Sequence, residues 1–247
     1  MEGESVKYLN HISEILKKVQ DTQWESIDKL AKLMAENIRD KKNIFIFGAS
    51  HASILAQEMF YRTGGLSVIN PILPKELMLD TRPVTETSKM ERVEGYATVI
   101  LDGTRIKEGD LLIIHSVSGR NNSAVEMARV AKDRKIKTAC ITNLNYSKQV
   151  KSRDKSGKKL FEVCDIVIDN CGDFEDSSML LPNMTQKIAP TSSVIGCAIV
   201  NMLEIRCVEH LLTMGVTPPV FHSANVDGGD EFNKTLLEKY KDQIFYM

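Results

Sequence analysis

Twice along this chain an apolar strand runs into a hydroxyl- and glycine-bearing turn that opens a helix, and this repeated unit constrains the fold more than any other feature. The first unit is N-I-F-I-F at 43–47 followed by G-A-S-H-A-S at 48–53. The second is the strand predicted at 111–114, followed by S-V-S-G-R-N-N-S at 116–123 and an apolar period near 3.6 through about residue 135. The first N–H groups of a helix have no partner within it and lie at the positive end of its dipole, so a turn of this kind is built to hold an anion. Ser116 and Ser118 add hydroxyls to such a seat, and Gly119 permits the tight turn. Neither G-x-x-x-x-G-K-[ST] nor G-x-G-x-x-G occurs, which weakens a nucleotide reading.

Further strands are predicted at 67–72, 137–142 and 165–169, with helices near 88–101, 122–135 and 190–214. Strands alternating with helices indicate right-handed βαβ units. The expected fold is therefore α/β: a three-layer α-β-α sandwich over a five-stranded parallel sheet in the flavodoxin-like order 2-1-3-4-5. In that order strands 1 and 3 are neighbours, their helices leave to opposite faces, and the crevice between them is where ligands bind. Both hydroxyl-rich turns would then meet at one point, which is the strongest argument from the residues themselves for a small anionic ligand.

The 247 residues are read as a single domain with an N-terminal helical segment at 5–41 and a C-terminal tail at 216–247. In the first segment a break is expected near Asp21-Thr22, with Thr22-x-x-Glu25 as a capping box for a second helix. The segment 146–159, rich in Lys, Ser and Arg, reads as a solvated loop or hairpin. A formal charge of −1 gives no case for nucleic acid or an anionic membrane surface, and no run of apolar residues is long enough to span a bilayer. A cytoplasmic location is expected. The five cysteines lack a C-x-x-C pair, and no dedicated metal-ligand spacing links His51, Glu58, His115, His222 and Asp230, so no metal is expected.

The pairing of G-A-S-H-A-S with S-V-S-G-R-N-N-S, followed by P-T-S-S at 190–193 opening a long apolar helix, resembles the sugar isomerase (SIS) domain family over roughly residues 40–215. With N-V-D-G-G-D-E-F-N at 225–233, it looks more narrowly like a functionally unnamed bacterial SIS family akin to phosphoheptose isomerases. The resemblance implies a phosphosugar or amino-sugar phosphate as ligand, and a dimer or tetramer with shared active sites. Carried over by position, Ser50, Ser116, Ser118 and Asn121 would hold the phosphate, with Gly119 in the turn and Ser192 at the head of the third motif. Arg120 either adds forked hydrogen bonds to the phosphate or is an exposed residue at a helix start. Ser123 either replaces a hydroxyl lost at Asn121 or caps the helix.

Aldose–ketose isomerisation needs a base moving a proton between C1 and C2 and a group assisting at the oxygens, and it needs no cofactor. Glu58, two helical turns beyond the first turn, is the expected base, with His51 in that turn able to reach the ligand. The family resemblance adds His210, on the last long helix, as a ring-opening group, while His115 reads as a packed core residue. The 225–233 turn is either a structural Asx-type turn or part of a tail reaching a neighbour's site. A lyase or deaminase, or a non-catalytic phosphosugar sensor, would use the same crevice. The amphipathic N-terminal segment and the apolar run 194–212 exceed what one sheet needs for cover, which points to a helical interface between subunits.

Overall fold

In the computed structural model, which describes residues 3–247, five short strands form one parallel sheet. They are β1 (Ile44–Gly48), β2 (Ile69–Ile72), β3 (Leu111–His115), β4 (Lys137–Thr142) and β5 (Ile166–Asp169), in the order β2-β1-β3-β4-β5. This is the expected order. β1 and β3 are fully buried runs, as strands covered on both faces should be. They run in register from Ile44 beside Leu111 to Gly48 beside His115, so both strands end at the same level.

The helices, in chain order, are α1 (Glu4–Arg39), α2 (Ile54–Met59), α3 (Thr85–Met90), α4 (Tyr96–Asp102), α5 (Asn122–Asp133), α6 (Leu144–Gln149), α7 (Leu160–Val163), α8 (Ser192–Thr213) and α9 (Gly229–Lys239). Alternation along the strands divides the core into two layers. Ile44, Ile46, Ile113, Ala139 and Ile141 face α1, α2 and α8, whereas Phe45, Phe47, Leu112, Ile114 and Cys140 face α4, α5 and α7.

Three expectations are corrected. The N-terminal segment is one 36-residue helix rather than two. Thr22 does not cap a second helix: its hydroxyl donates back to the Lys18 carbonyl at 2.7 Å, a bond that a continuous helix accommodates. The region 88–101 divides into α3 and α4 around Gly95, whose φ of 83° interrupts helical geometry. Segment 146–159 is not a merely solvated loop. Asp154 is buried within it and pairs with Arg129 of α5 at 3.1 Å.

The tail folds back on its own chain. Asn70 of edge strand β2 donates to the Gln243 carbonyl at 2.9 Å and accepts from the Phe245 N–H at 2.7 Å. The 225–233 turn starts α9, with Gly228 in the left-handed region at φ 80° and Asn233 bonding both the N–H and the carbonyl of His222 at 2.9 Å.

Candidate functional site

Each turn contains a glycine whose place leaves little room for a side chain. A Cβ at Gly48 would overlap the Ala52 carbonyl, so only glycine lets the single 3-10 turn Ser50–Ser53 fold against the end of β1. Within that turn Ser50 takes a left-handed φ of 52°, an uncommon conformation for serine, with its carbonyl accepting from the Ser53 hydroxyl at 2.8 Å. Gly119 has φ 56°, and a Cβ there would lie 3.1 Å from both Thr142 Oγ1 and Ser147 Oγ.

The second turn is braced from outside by the segment before α7. The Arg153 N–H donates to the Arg120 carbonyl at 2.8 Å, and the Leu160 N–H donates to the Gly119 carbonyl at 2.9 Å. With its carbonyls engaged there, the turn leaves its amides uncommitted. The backbone N–H groups of Ser118, Gly119, Arg120, Asn121 and Asn122 donate to nothing among the described residues. Successive unpaired amides at the head of a helix form a concave seat for an anion.

A cavity of about 270 Å³ lies between the two turns, with Ser116, Ser118, Asn121 and Ser123 on one side and Ala49 and His51 on the other. Glu91, just after α3, reaches into it. Its carboxylate accepts from the Ser50 hydroxyl at 2.5 Å and from the Asn121 amide at 2.6 Å, and so bridges the two turns. Arg153 donates to Asn121 Oδ1 at 2.7 Å. Burial lowers the Arg153 guanidinium's affinity for its proton, and the neighbouring charges of Arg120 and Arg92 lower it further. Arg120, Arg92 and the Glu91 carboxylate thus lie within electrostatic reach of Arg153, a locally positive field that suits an anion with more than one charge.

Two more acids line the cavity, Glu175 and Asp176, both left-handed with φ 63° and 55°. Asp176 serves α8: it accepts from the Thr191 and Ser192 N–H groups at 3.2 and 2.9 Å and from the Ser192 hydroxyl at 2.5 Å. Its negative charge meets the positive end of that 22-residue helix.

The sequence pattern of the SIS domain matches residues 7–143. A UPF0309 protein of Oceanobacillus iheyensis is 46% identical over 98% of this chain and 98% of its own length. Another, from Shouchella clausii, is 45% identical over the same shares. The chain belongs to the SIS domain family. Its SIS fold is similar to that of a phosphoheptose isomerase from Francisella tularensis, with a TM-score of 0.54 at 14% identity, covering 83% of this chain and 97% of that one.

Of the residues expected at the SIS crevice, Ser116, Ser118, Asn121, Ser123 and His51 line it, Ser50 reaches it through Glu91, and Gly119 and Arg120 form the turn behind. Three expected residues are elsewhere. Glu58 does not line the crevice; it pairs with Arg62 and accepts from Asn201 at 2.9 Å, because α2 carries it away toward α8. His210 bonds Asp28 of α1 at 2.9 Å, near the far end of α8. Ser192 is at the near end, but its hydroxyl is held by Asp176. Among the described residues no group of three His, Cys, Asp or Glu gathers as a metal site, and no helix is long and apolar enough to cross a membrane.

Glu91 and Asp176 were not singled out from the sequence. Neither sits in a local motif, and their roles exist only once distant segments meet. His115 is packed as expected, with 1% of its surface exposed, and also borders the cavity as part of its floor.

Proposed function

We propose that this chain binds a phosphorylated sugar or amino sugar in the crevice and interconverts its aldose and ketose forms. The observation that carries the reading is the row of unpaired amides from Ser118 to Asn122, set beside Arg120 and Arg153 and facing a small cavity. The carboxylate of Glu91 already occupies the polar groups, Ser50 and Asn121, that a phosphate would use. A phosphate arriving there takes over these donors and displaces the carboxylate toward the sugar. Glu91 then stands as the base for the proton shared between C1 and C2. His51, exposed at the rim, is the group for proton transfer at the oxygens. The likeness to a phosphoheptose isomerase supports the same class of substrate.

The test is deuterium exchange. The full chain, incubated in heavy water with aldose and ketose phosphates of five to seven carbons, should place deuterium at C2 of one of them, read by proton NMR. Binding of a sugar phosphate without exchange on any would leave a binding protein and end the isomerase reading.

A further inference from the structure

His115 closes strand β3 at the point where β1 and β3 part, in register with Gly48 on one side and Ile141 on the other. Its Nδ1 lies 2.9 Å from the Ala52 carbonyl oxygen. A carbonyl can only accept, so Nδ1 carries the proton and Nε2 of the neutral ring is left with a lone pair. Burial favours this neutral form, holding the imidazole's pKa down at about 4 against the Ala52 hydrogen bond, which raises it, with His51 acting alongside burial and Asp176 against it. Nε2 is itself buried and has no hydrogen-bond partner among the described residues. The ring nonetheless lines the cavity. Ser123 Oγ, on a residue 1% exposed that lines the same cavity, is also unpartnered. Nine buried side-chain polar atoms lack a partner among the described residues, and these two belong to residues lining the candidate cavity, where a ligand could satisfy them.

We infer that His115 Nε2, with Ser123 beside the same cavity, forms a hydroxyl-recognition subsite that accepts a hydrogen bond from a sugar hydroxyl and so sets how the ligand lies in the crevice. The inference rests on the phosphosugar reading. A phosphate dianion carries acceptors only, and opposing it to the Nε2 lone pair would be repulsive. The anion therefore goes to the amides of Ser118–Asn122, and the hydroxyl-bearing carbons go over the floor. An aliphatic residue at the end of β3 would pack there without placing any polar side-chain atom beside the cavity. The imidazole instead makes the floor selective for a donor.

The experiment compares an anion that cannot donate with ligands that can. Sulfate reports the amide seat alone. Ribose 5-phosphate, glucose 6-phosphate and fructose 6-phosphate report seat and floor together. In the full chain labelled with ¹⁵N-histidine, sulfate should leave the His115 Nε2 signal at its unprotonated position, and the sugar phosphate that binds should move it toward hydrogen-bonded values. H115N keeps an amide able to donate to the Ala52 carbonyl while removing the acceptor from the cavity. It should bind sulfate within about twofold of the wild type and lose about tenfold in sugar-phosphate affinity, the loss of one hydrogen bond. H115Q, which carries an amide oxygen farther out, should recover part of that loss. Equal affinity of H115N and wild type for the sugar phosphate, or an unmoved Nε2 signal at saturation, overturns the inference. If sulfate binds and no aldose or ketose phosphate of five to seven carbons does, the phosphosugar reading itself fails and this subsite falls with it.

Discussion

A carboxylate seated among anion donors is the sharpest feature at the scale of single residues. Glu91 accepts from Ser50 and Asn121, and its charge acts against that of nearby Arg153. A bound anion must meet like-charge repulsion from Glu91 or displace it. E91Q removes that charge and keeps the side chain's size. It should raise sulfate affinity by about tenfold at low ionic strength, with the gain shrinking as salt screens the site, and it should abolish C2 exchange. Isothermal titration at two salt concentrations checks the first half; unchanged or weaker sulfate binding would show that the carboxylate does not compete for the seat. Ser116, Ser118 and Asn121 were legible as ligand-facing residues because a glycine turn between a strand and a helix dictates their place locally. Glu91 was not legible, since its own neighbourhood, K-M-E-R-V, is ordinary helix sequence. Its role depends on α3 ending beside a turn about thirty residues later, where its backbone carbonyl accepts from the Ser123 N–H at 3.0 Å. His115 is buried as its place at the end of an apolar strand implies, and its place beside the cavity was not legible. Burial does not separate a packed imidazole from one whose second nitrogen borders a cavity.

Among the elements, the strands were read closely because runs such as L-L-I-I at 111–114 have no polar face, and only a sheet covered on both sides uses them. The helices were read less well where the decisive contact is tertiary. Asp21-Thr22 looked like a break, but α1 continues through it with Val19 and Ile27 fully within the core on α8's side of the sheet. Glu58 was expected to share the face of the first turn, but the intervening 3-10 turn changes the helical phase, and α2 delivers it to Arg62 and Asn201. The α1–α8 layer also leaves apolar surface outside. Ile195, Ile199, Leu203 and Leu211 of α8 are buried, whereas Ile205 and Leu212 are more than 60% exposed, and Trp24 and Leu9 of α1 are exposed as well. A helix apolar nearly all round calls for cover on its second side, and we propose that a second copy of this chain supplies it. The full chain at about 10 μM should sediment as a dimer or larger, and I205E with L212E should sediment as a monomer with unchanged far-ultraviolet circular dichroism. A wild-type monomer would refute the interface.

At the scale of the whole molecule, two buried titratable groups give stability opposite dependences on pH. The Glu204 carboxyl, 7% exposed on α8 and accepting from the Leu66 N–H at 3.3 Å, is pushed by burial from its ordinary 4.5 up to about 8. The native state thus keeps a proton that the unfolded chain gives up, so this stabilisation is complete below pH 4.5 and is lost as pH rises through 8. His115 runs the other way. Its pKa falls from 6.5 to about 4 on folding, so its contribution is complete above pH 6.5 and is lost as pH falls through 4. Between pH 4.5 and 6.5 the two slopes oppose and largely cancel. Above 6.5 only the Glu204 slope remains, which amounts to roughly 2 kcal/mol by pH 8. Glu204→Gln keeps an acceptor for Leu66 and cannot ionise. Urea unfolding at intervals from pH 4.5 to 8.5 should therefore show the wild type losing stability above pH 6.5 and the Gln variant losing less than half as much. Parallel curves would mean that Glu204 is already ionised in the folded protein, its charge held by Arg62, which opposes the effect of burial.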